Sequence, residues 1–243
     1  MQEADEKQML RQRIWDLMER TNVASFPRPV HGRIPNFVGA RRAAERLAST
    51  EEFARARVVK VNPDSPQRPV RELALRAGKL VLVPTPRLRG QFYLLDPSIV
   101  DPEYASSISG FTRVGERVDV ESAPNIDLVV VGSVAVSPSG FRVGKGEGYS
   151  ELEYAMLREI GKIGDSTPVA TTVHDVQVVS EVPHMPYDVP VDIIATPTRL
   201  IRVSPRQPRP QGLLMEYLSD KKVQETPYLM AYLQRTGRWP RRS

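Results

Sequence analysis

Residues 127–157 read DLVVVGSVAVSPSGFRVGKGEGYSELEYAML, and the fold class turns on them. Leu128–Val131 is an unbroken apolar run, extended by Val134–Val136. A run without polar alternation predicts a strand buried on both faces, as in parallel sheets covered by helices. The stretch closes with Tyr149, Leu152, Met156 and Ile160 at helical spacing, which predicts an amphipathic helix. Between strand and helix lie Gly140, Gly144, Gly146 and Gly148, interleaved with Arg142 and Lys145. Glycine admits left-handed backbone angles and lets N–H groups approach a ligand with no Cβ in the way. A glycine-rich turn that enters a helix N-terminus is a cradle for anions, and two cations reinforce it. The spacing is neither the Walker pattern nor the dinucleotide fingerprint. Phosphate binding is one reading of the loop; a flexible connection with solvated charges is the other.

Outward from this stretch the chain alternates short apolar runs with helical patterns. Val58–Val61, Leu80–Val83, Phe92–Leu95, Pro168–Val173 and Val191–Ala195 read as strands. Helical patterns lie at Ala40–Leu47, Glu51–Ala56, Pro69–Ala77 and Glu103–Ser109, while Gly110–Pro124 carries no clear pattern. The alternation predicts an α/β fold with a mostly parallel sheet. Ligands in such sheets bind beyond the carboxyl ends of the strands. There the sequence places Asp64/Ser65, Thr85/Arg87, the glycine loop, His174/Asp175/Gln177 and Thr196/Thr198. Residues 5–22 read as a helix with Leu10, Ile14, Leu17 and Met18 on one face, and Lys7 and Arg11 share a face as i and i+4. Ser25–Phe37 is a proline-rich loop whose Arg28, His31 and Arg33 suit either the rim of an anionic site or simple packing.

Composition excludes several classes. The 243 residues contain no cysteine, so disulfides, thiolate metal sites and cysteine nucleophiles are absent. His31, His174 and His184 have no metal-ligand spacing. No apolar run approaches the roughly 18 residues that span a bilayer, and the polar N-terminal stretch resembles neither a signal nor a transit peptide. These features predict a cytoplasmic protein without a membrane partner. The formal charge is +5, yet Arg199–Ser243 holds eight Arg and two Lys against Glu216, Asp220 and Glu225, a net of +7. The division expected is residues 1–203 as the α/β domain and 204–243 as a basic, helical tail docked on it. Tyr217, Tyr228, Tyr232 and Trp239 among the tail's cations suit a polyanion such as RNA. Yet Leu213, Leu214, Tyr217 and Leu218, then Tyr228, Leu229, Tyr232 and Leu233, fall at helical spacing, and docking on the domain is the preferred reading. The tail is expected to be dispensable for the phosphate site but not for any polyanion binding.

The segments IWDLMERTNVASFPRPVHGRIPNF, LVPTPRLR, the 127–156 stretch, HDVQVV and VDIIATPTR resemble one known group. It is the methenyltetrahydrofolate synthetase domain-containing branch of the 5-formyltetrahydrofolate cyclo-ligase superfamily. The resemblance implies a three-layer α/β/α sandwich of the ribose-5-phosphate isomerase and CoA-transferase type. It implies ATP and Mg2+ as cofactors and 5-formyltetrahydrofolate or a related pterin as substrate, converted to the 5,10-methenyl form. The family's phosphate-holding pattern is similar to Arg142-Val143-Gly144-Lys145-Gly146-Glu147-Gly148-Tyr149-Ser150-Glu151, and its N-terminal nucleotide motif to Lys7–Arg11. By that likeness Arg142 and Lys145 are catalytic candidates. Lys7, Arg11, Gly144, Lys145, Gly146, Gly148 and Tyr149 are nucleotide-binding candidates, and Glu151 is the metal candidate. Arg28, His31, Arg33, Arg87, His174 and Asp175 are candidates for the substrate. A second family carboxylate corresponds to Ser137 here, and the family's Glu-Pro pair before the central strand has no counterpart around Asp119–Pro124. Animal members also carry an RNA-recognition module, whose aromatic signature the present tail lacks. The second class of function is therefore a non-catalytic nucleotide- or RNA-binding protein that keeps the fold.

Overall fold

The computed structural model describes residues 2–242. In chain order the helices are α1 (Gln2–Arg20), α2 (Ala40–Ala48), α3 (Glu51–Arg55), α4 (Arg68–Arg76), α5 (Pro102–Ser106), α6 (Ile108–Val114), α7 (Tyr149–Glu159), α8 (Asp220–Glu225) and α9 (Pro227–Arg235). The strands are β1 (Val58–Val61), β2 (Leu80–Val83), β3 (Phe92–Leu95), β4 (Glu116–Val118), β5 (Leu128–Val131), β6 (Ala135–Val136), β7 (Arg142–Val143), β8 (Val169–Thr172), β9 (Ile193–Ala195) and β10 (Leu200–Arg202).

Eight strands form one sheet in the order β10-β9-β8-β5-β1-β2-β3-β4. The inner run from β9 to β2 is parallel, and β3, β4 and β10 add antiparallel edges. β5 stands near the centre with all four residues buried. Its side chains alternate between layers: Val129 and Val131 face α7 and α9, while Leu128 and Val130 face α2 and α4. Burial on both faces is why the strand reads as a continuous apolar run. Helices on both faces of a mostly parallel sheet give the three-layer α/β/α arrangement. α1 packs outside it, with Leu10, Ile14, Trp15 and Met18 against Val134, Ala135 and Val143. Among the described residues, no helix is long and apolar enough to cross a membrane.

Several expectations change. Val134–Val136 does not continue β5: the chain turns at Gly132-Ser133, and β6 pairs antiparallel with β7. Gly140, at φ 100°, belongs to the turn of that hairpin and not to the phosphate loop. The buried face of α7 is Glu153, Tyr154, Met156 and Leu157, while Tyr149, Leu152 and Ile160 are only partly covered. The helix is rotated because Glu153 reaches under the sheet to Lys60 of β1, Nζ to Oε1 2.6 Å. Of Val191–Ala195 only Ile193–Ala195 forms the strand, the edge strand β10 follows it, and the unpatterned Gly110–Pro124 contains most of α6 and all of β4.

The basic segment after Val203 does not stand apart. Leu218, Val223, Tyr228, Leu229, Tyr232 and Leu233 are part of the core beneath α7. Its arginines pair with carboxylates: Arg206 and Arg209 with Asp192, Arg235 with Glu121, Arg238 with Glu159 and Arg241 with Asp220. Asp192, Glu121 and Glu159, with Asp175 against Arg199 and Glu52 against Arg202, set five carboxylates from outside the segment against the formal +7 and leave +2.

Candidate functional site

A cavity of about 820 Å³ opens beyond the carboxyl ends of β1, β2 and β5. Each wall comes from the chain just past a strand or from an appended piece. β1 delivers Asn62–Ser65, β2 delivers Pro86 and Arg87, and the excursion after β5 returns through β7 into residues 144–151. α1 adds Lys7 and Arg11, the proline-rich loop adds His31 and Arg33, and the C-terminal segment adds Leu213, Tyr217 and Lys222.

The 144–148 loop is held by its carbonyls. Arg11 Nε donates to Gly144 O at 2.7 Å, and Lys222 Nζ donates to Glu147 O at 2.5 Å while lying 3.8 Å from the Tyr149 ring centroid. The amides from Gly144 to Gly148 find no acceptor among the described residues, and no side chain caps α7. Gly148 takes φ 75° as the N-cap, a conformation that favours glycine, so the first turn of α7 is entered without a side chain. A row of free N–H groups running into a helix N-terminus, inside a cavity, suits an anion with several oxygens. Lys145 is half-buried beside these amides, 3.4 Å from Glu147. Burial lowers the Arg11 pKa, which Glu151 and Asp188 partly restore.

Arg142 is fully committed. Its Nη1 donates to Glu151 Oε1 at 2.8 Å, Nη2 to Gly132 O at 2.6 Å and Nε to Ser133 Oγ at 3.2 Å. The side chain is buried and ties the end of β5 to the first turn of α7. It fixes the orientation of Glu151, whose other oxygen has no hydrogen bond among the described residues. Lys7 is likewise engaged, at 2.7 Å from Asp188 and 5.2 Å from the Tyr187 ring centroid. Burial raises the Asp188 pKa, and the Lys7 ammonium opposes that rise.

Asp64 differs from every other carboxylate of the cavity. Desolvation raises its pKa against the fields of Lys145, Arg71, Arg142 and Lys60, and among the described residues its carboxylate has no ion pair or hydrogen bond. Arg71, buried and itself lowered to about 9, donates from Nη1 to the carbonyls of Asn62 at 2.6 Å and Asp64 at 3.0 Å. The turn after β1 is therefore rigid, and it presents a free carboxylate to the cavity. Beneath it, Lys60 and Glu153 form a buried pair that also holds Asn62, which in turn donates to Ser150 Oγ at 3.2 Å.

Of the residues the sequence suggested, the cavity collects Lys7, Arg11, His31, Arg33, Arg87, Arg142, Gly144, Lys145, Gly146, Gly148, Tyr149 and Glu151. Three lie elsewhere. Arg28 is exposed and paired with Glu19 at 3.0 Å. Asp175 accepts from Thr196 at 2.7 Å and Thr198 at 2.6 Å, and His174 caps the short turn after β8 through its Nδ1. These two belong to a separate polar cluster at the ends of β8 and β9, so only three of the five strand ends converge. Ser137 is buried in the β6–β7 hairpin against Ser139 and does not face the cavity. Sequence reasoning missed Asp188, Tyr187 and Lys222, and it placed Asp64 at a strand end without assigning it a role. The tail reaches the loop, with Lys222 donating to the Glu147 carbonyl.

Magnesium takes one or two carboxylates and otherwise phosphate oxygens and water. No group of three or more potential ligands occurs among the described residues. The free oxygen of Glu151, beside the loop amides, fits that sparse requirement.

Comparison with known proteins gives a consistent picture. A family model described as the 5-formyltetrahydrofolate cyclo-ligase family matches residues 3–197. The mouse (Mus musculus) methenyltetrahydrofolate synthase domain-containing protein is 46% identical over 237 residues, covering 94% of this chain and 63% of that protein. The human (Homo sapiens) protein of the same name is 44% identical over 232 residues, covering 92% and 60%. The chain spans about three-fifths of the length of these curated relatives. The NMR structure of Aquifex aeolicus 5,10-methenyltetrahydrofolate synthetase superposes with a TM-score of 0.54 at 20% identity, covering 87% of this chain and 99% of that one, a likeness of fold.

Proposed function

The chain belongs to the 5-formyltetrahydrofolate cyclo-ligase family, and from that premise we propose that it is an ATP- and magnesium-dependent cyclo-ligase acting on 5-formyltetrahydrofolate or a close pterin. The observation that carries the proposal is the pairing of two unsatisfied features in one cavity: the partnerless amides of Gly144–Gly148 and the partnerless carboxylate of Asp64. The first suits a polyphosphate. The second suits the amino and ring N–H donors of a pterin. When bound, ATP would supply the phosphoryl group that makes the formyl oxygen a leaving group, and magnesium would offset the phosphate charge.

The work of the chain is positioning and charge neutralisation. Loop amides and Lys145 hold phosphate oxygens, while Arg11 and Lys222 hold the Gly144 and Glu147 carbonyls. Arg142 orients Glu151 toward the metal through its carboxylate and holds the end of β5 against α7. Asp64 would orient the ring system, and no side-chain nucleophile would be required, since the substrate's own formyl oxygen would accept the phosphoryl group. The test is turnover by the purified chain with ATP, magnesium and 5-formyltetrahydrofolate. Methenyl absorbance should rise in step with ADP release. ATP hydrolysis without methenyl product, or no change at all, would refute the proposal.

A further inference from the structure

The cavity has a wall the family pattern does not include. Pro210–Lys222 lies after the last residue the family model matches, yet it lines the same space as the glycine loop. The match to the mouse relative reaches into it. The segment is fixed from both sides. Leu213 N donates to Glu159 Oε2 at 3.1 Å, Leu218 is buried in the main core, and Arg241 donates to the carbonyls of Met215 and Leu218. Between these anchors a short turn at Met215–Tyr217 presents Tyr217, which remains 47% exposed. Its ring centroid is 5.4 Å from that of Tyr187 at 57°, so the two rings form an open wedge on the cavity wall. Neither ring serves the core, and an aromatic pair left uncovered in a polar cavity is a surface for a planar group.

The position of the wedge selects which planar group. Tyr187 stands against α1, its ring centroid 5.2 Å from Lys7 Nζ, and its neighbour Asp188 pairs with the same lysine. The Asp64 carboxylate stands over Gly132 at the end of β5, and the Asp64 carbonyl accepts from Arg71 of α4. The wedge thus lies on the α1 side of the cavity and the free carboxylate at the ends of β1 and β5. A ligand whose phosphates lie on residues 144–148 and whose reacting end meets the carboxylate directs its other end toward the wedge.

We propose that the C-terminal segment completes the ligand site, and that Tyr217 with Tyr187 seats the base of the nucleotide whose phosphates occupy the glycine loop. This rests on the nucleotide reading above and adds the residues that recognise the base. Stacking on an aromatic ring tolerates any base, so Tyr217 contributes affinity for a nucleoside moiety and none for a bare polyphosphate.

The experiment is calorimetric titration of the full chain and of Tyr217→Ala and Tyr217→Phe with ATP, with inorganic tripolyphosphate and with 5-formyltetrahydrofolate, all in magnesium. Tyr217→Ala should weaken ATP about 5- to 150-fold, the range of one base–aromatic contact. The same variant should leave tripolyphosphate unchanged, and Tyr217→Phe should match the parent for both. A circular dichroism melt of Tyr217→Ala near the parent midpoint confirms an intact fold. Equal losses for ATP and tripolyphosphate, no loss for ATP, or a loss confined to 5-formyltetrahydrofolate would overturn the seat alone. A parent chain that binds neither ATP nor tripolyphosphate would overturn the nucleotide reading, and the seat with it.

Discussion

A desolvated carboxylate without a partner costs the free protein stability. Asp64 is such a group. Burial lifts its pKa, so between its unfolded and folded values the native state holds a proton that the unfolded chain has released. Stability is therefore lost as pH rises through that window and is recovered below the unfolded value of about 3.9. Asp64→Asn removes the charge at constant shape. It should raise stability by about 1 kcal/mol at pH 8, or about 2–4 °C in a chain of this size. The gain should shrink steadily as pH approaches 4, while affinity for 5-formyltetrahydrofolate falls. Thermal melts across that pH range decide the matter, and a lower midpoint at pH 8 would mark Asp64 as a structural acceptor. Arg142 shows the opposite economy. All of its donors used in the structure are satisfied by the chain itself, so it shapes the site through Glu151 and the end of β5.

Among the elements, α8 and α9 depart furthest from their sequence appearance. Leu229 and Leu233 are fully buried, with Val223, Tyr228 and Tyr232 beside them. Losing one buried leucine costs about 2–5 kcal/mol, against a total stability of about 5–15 kcal/mol. A chain ending at Val203 should therefore lose its cooperative thermal transition, and a sharp transition near the intact midpoint would show that the segment merely covers a finished domain. The helical spacing of Tyr228, Leu229, Tyr232 and Leu233 was legible as a docking face. Its ion pairs were not, because Asp192, Glu159 and Glu121 lie far away in sequence. The same distinction runs through the sheet. β2 and β5 announce themselves because burial on both faces demands apolar residues, and β1 and β8 do so despite buried Lys60, Thr171 and Thr172. β4, with Glu116 and Arg117 exposed, and β10, ending in exposed Arg202, sit at the edges, where little in the sequence marks a strand. The break at Gly132-Ser133 was hidden because β6 is as apolar as β5. The glycine loop stood out by composition and by its place before a helix, although Gly140 belongs to the hairpin turn instead. Asp64, Asp188 and Tyr187 became functional candidates only when folding set them beside it.

At the scale of the molecule, the cavity joins three parts of the chain that sequence separates widely: α1, the loop at 144–151 and the segment at 210–222. Arg11 and Lys222 already tie the outer two to the middle one through the carbonyls of Gly144 and Glu147. A ligand that fills the cavity touches all three at once, so binding and global stability are linked. An anion that binds only the native state at about 100 times its dissociation constant adds about 2.7 kcal/mol, or about 5–10 °C in the thermal midpoint for this length. ATP with magnesium should produce that shift, and amide hydrogen exchange should slow together in Lys7–Arg11, Gly144–Glu151 and Leu213–Lys222. Simultaneous protection is the informative part, because a phosphate held only by loop amides would protect residues 144–151 and leave the flanking pieces unchanged. Protection limited to the loop, even with a large midpoint shift, would mean that the C-terminal wall lies near the ligand without holding it.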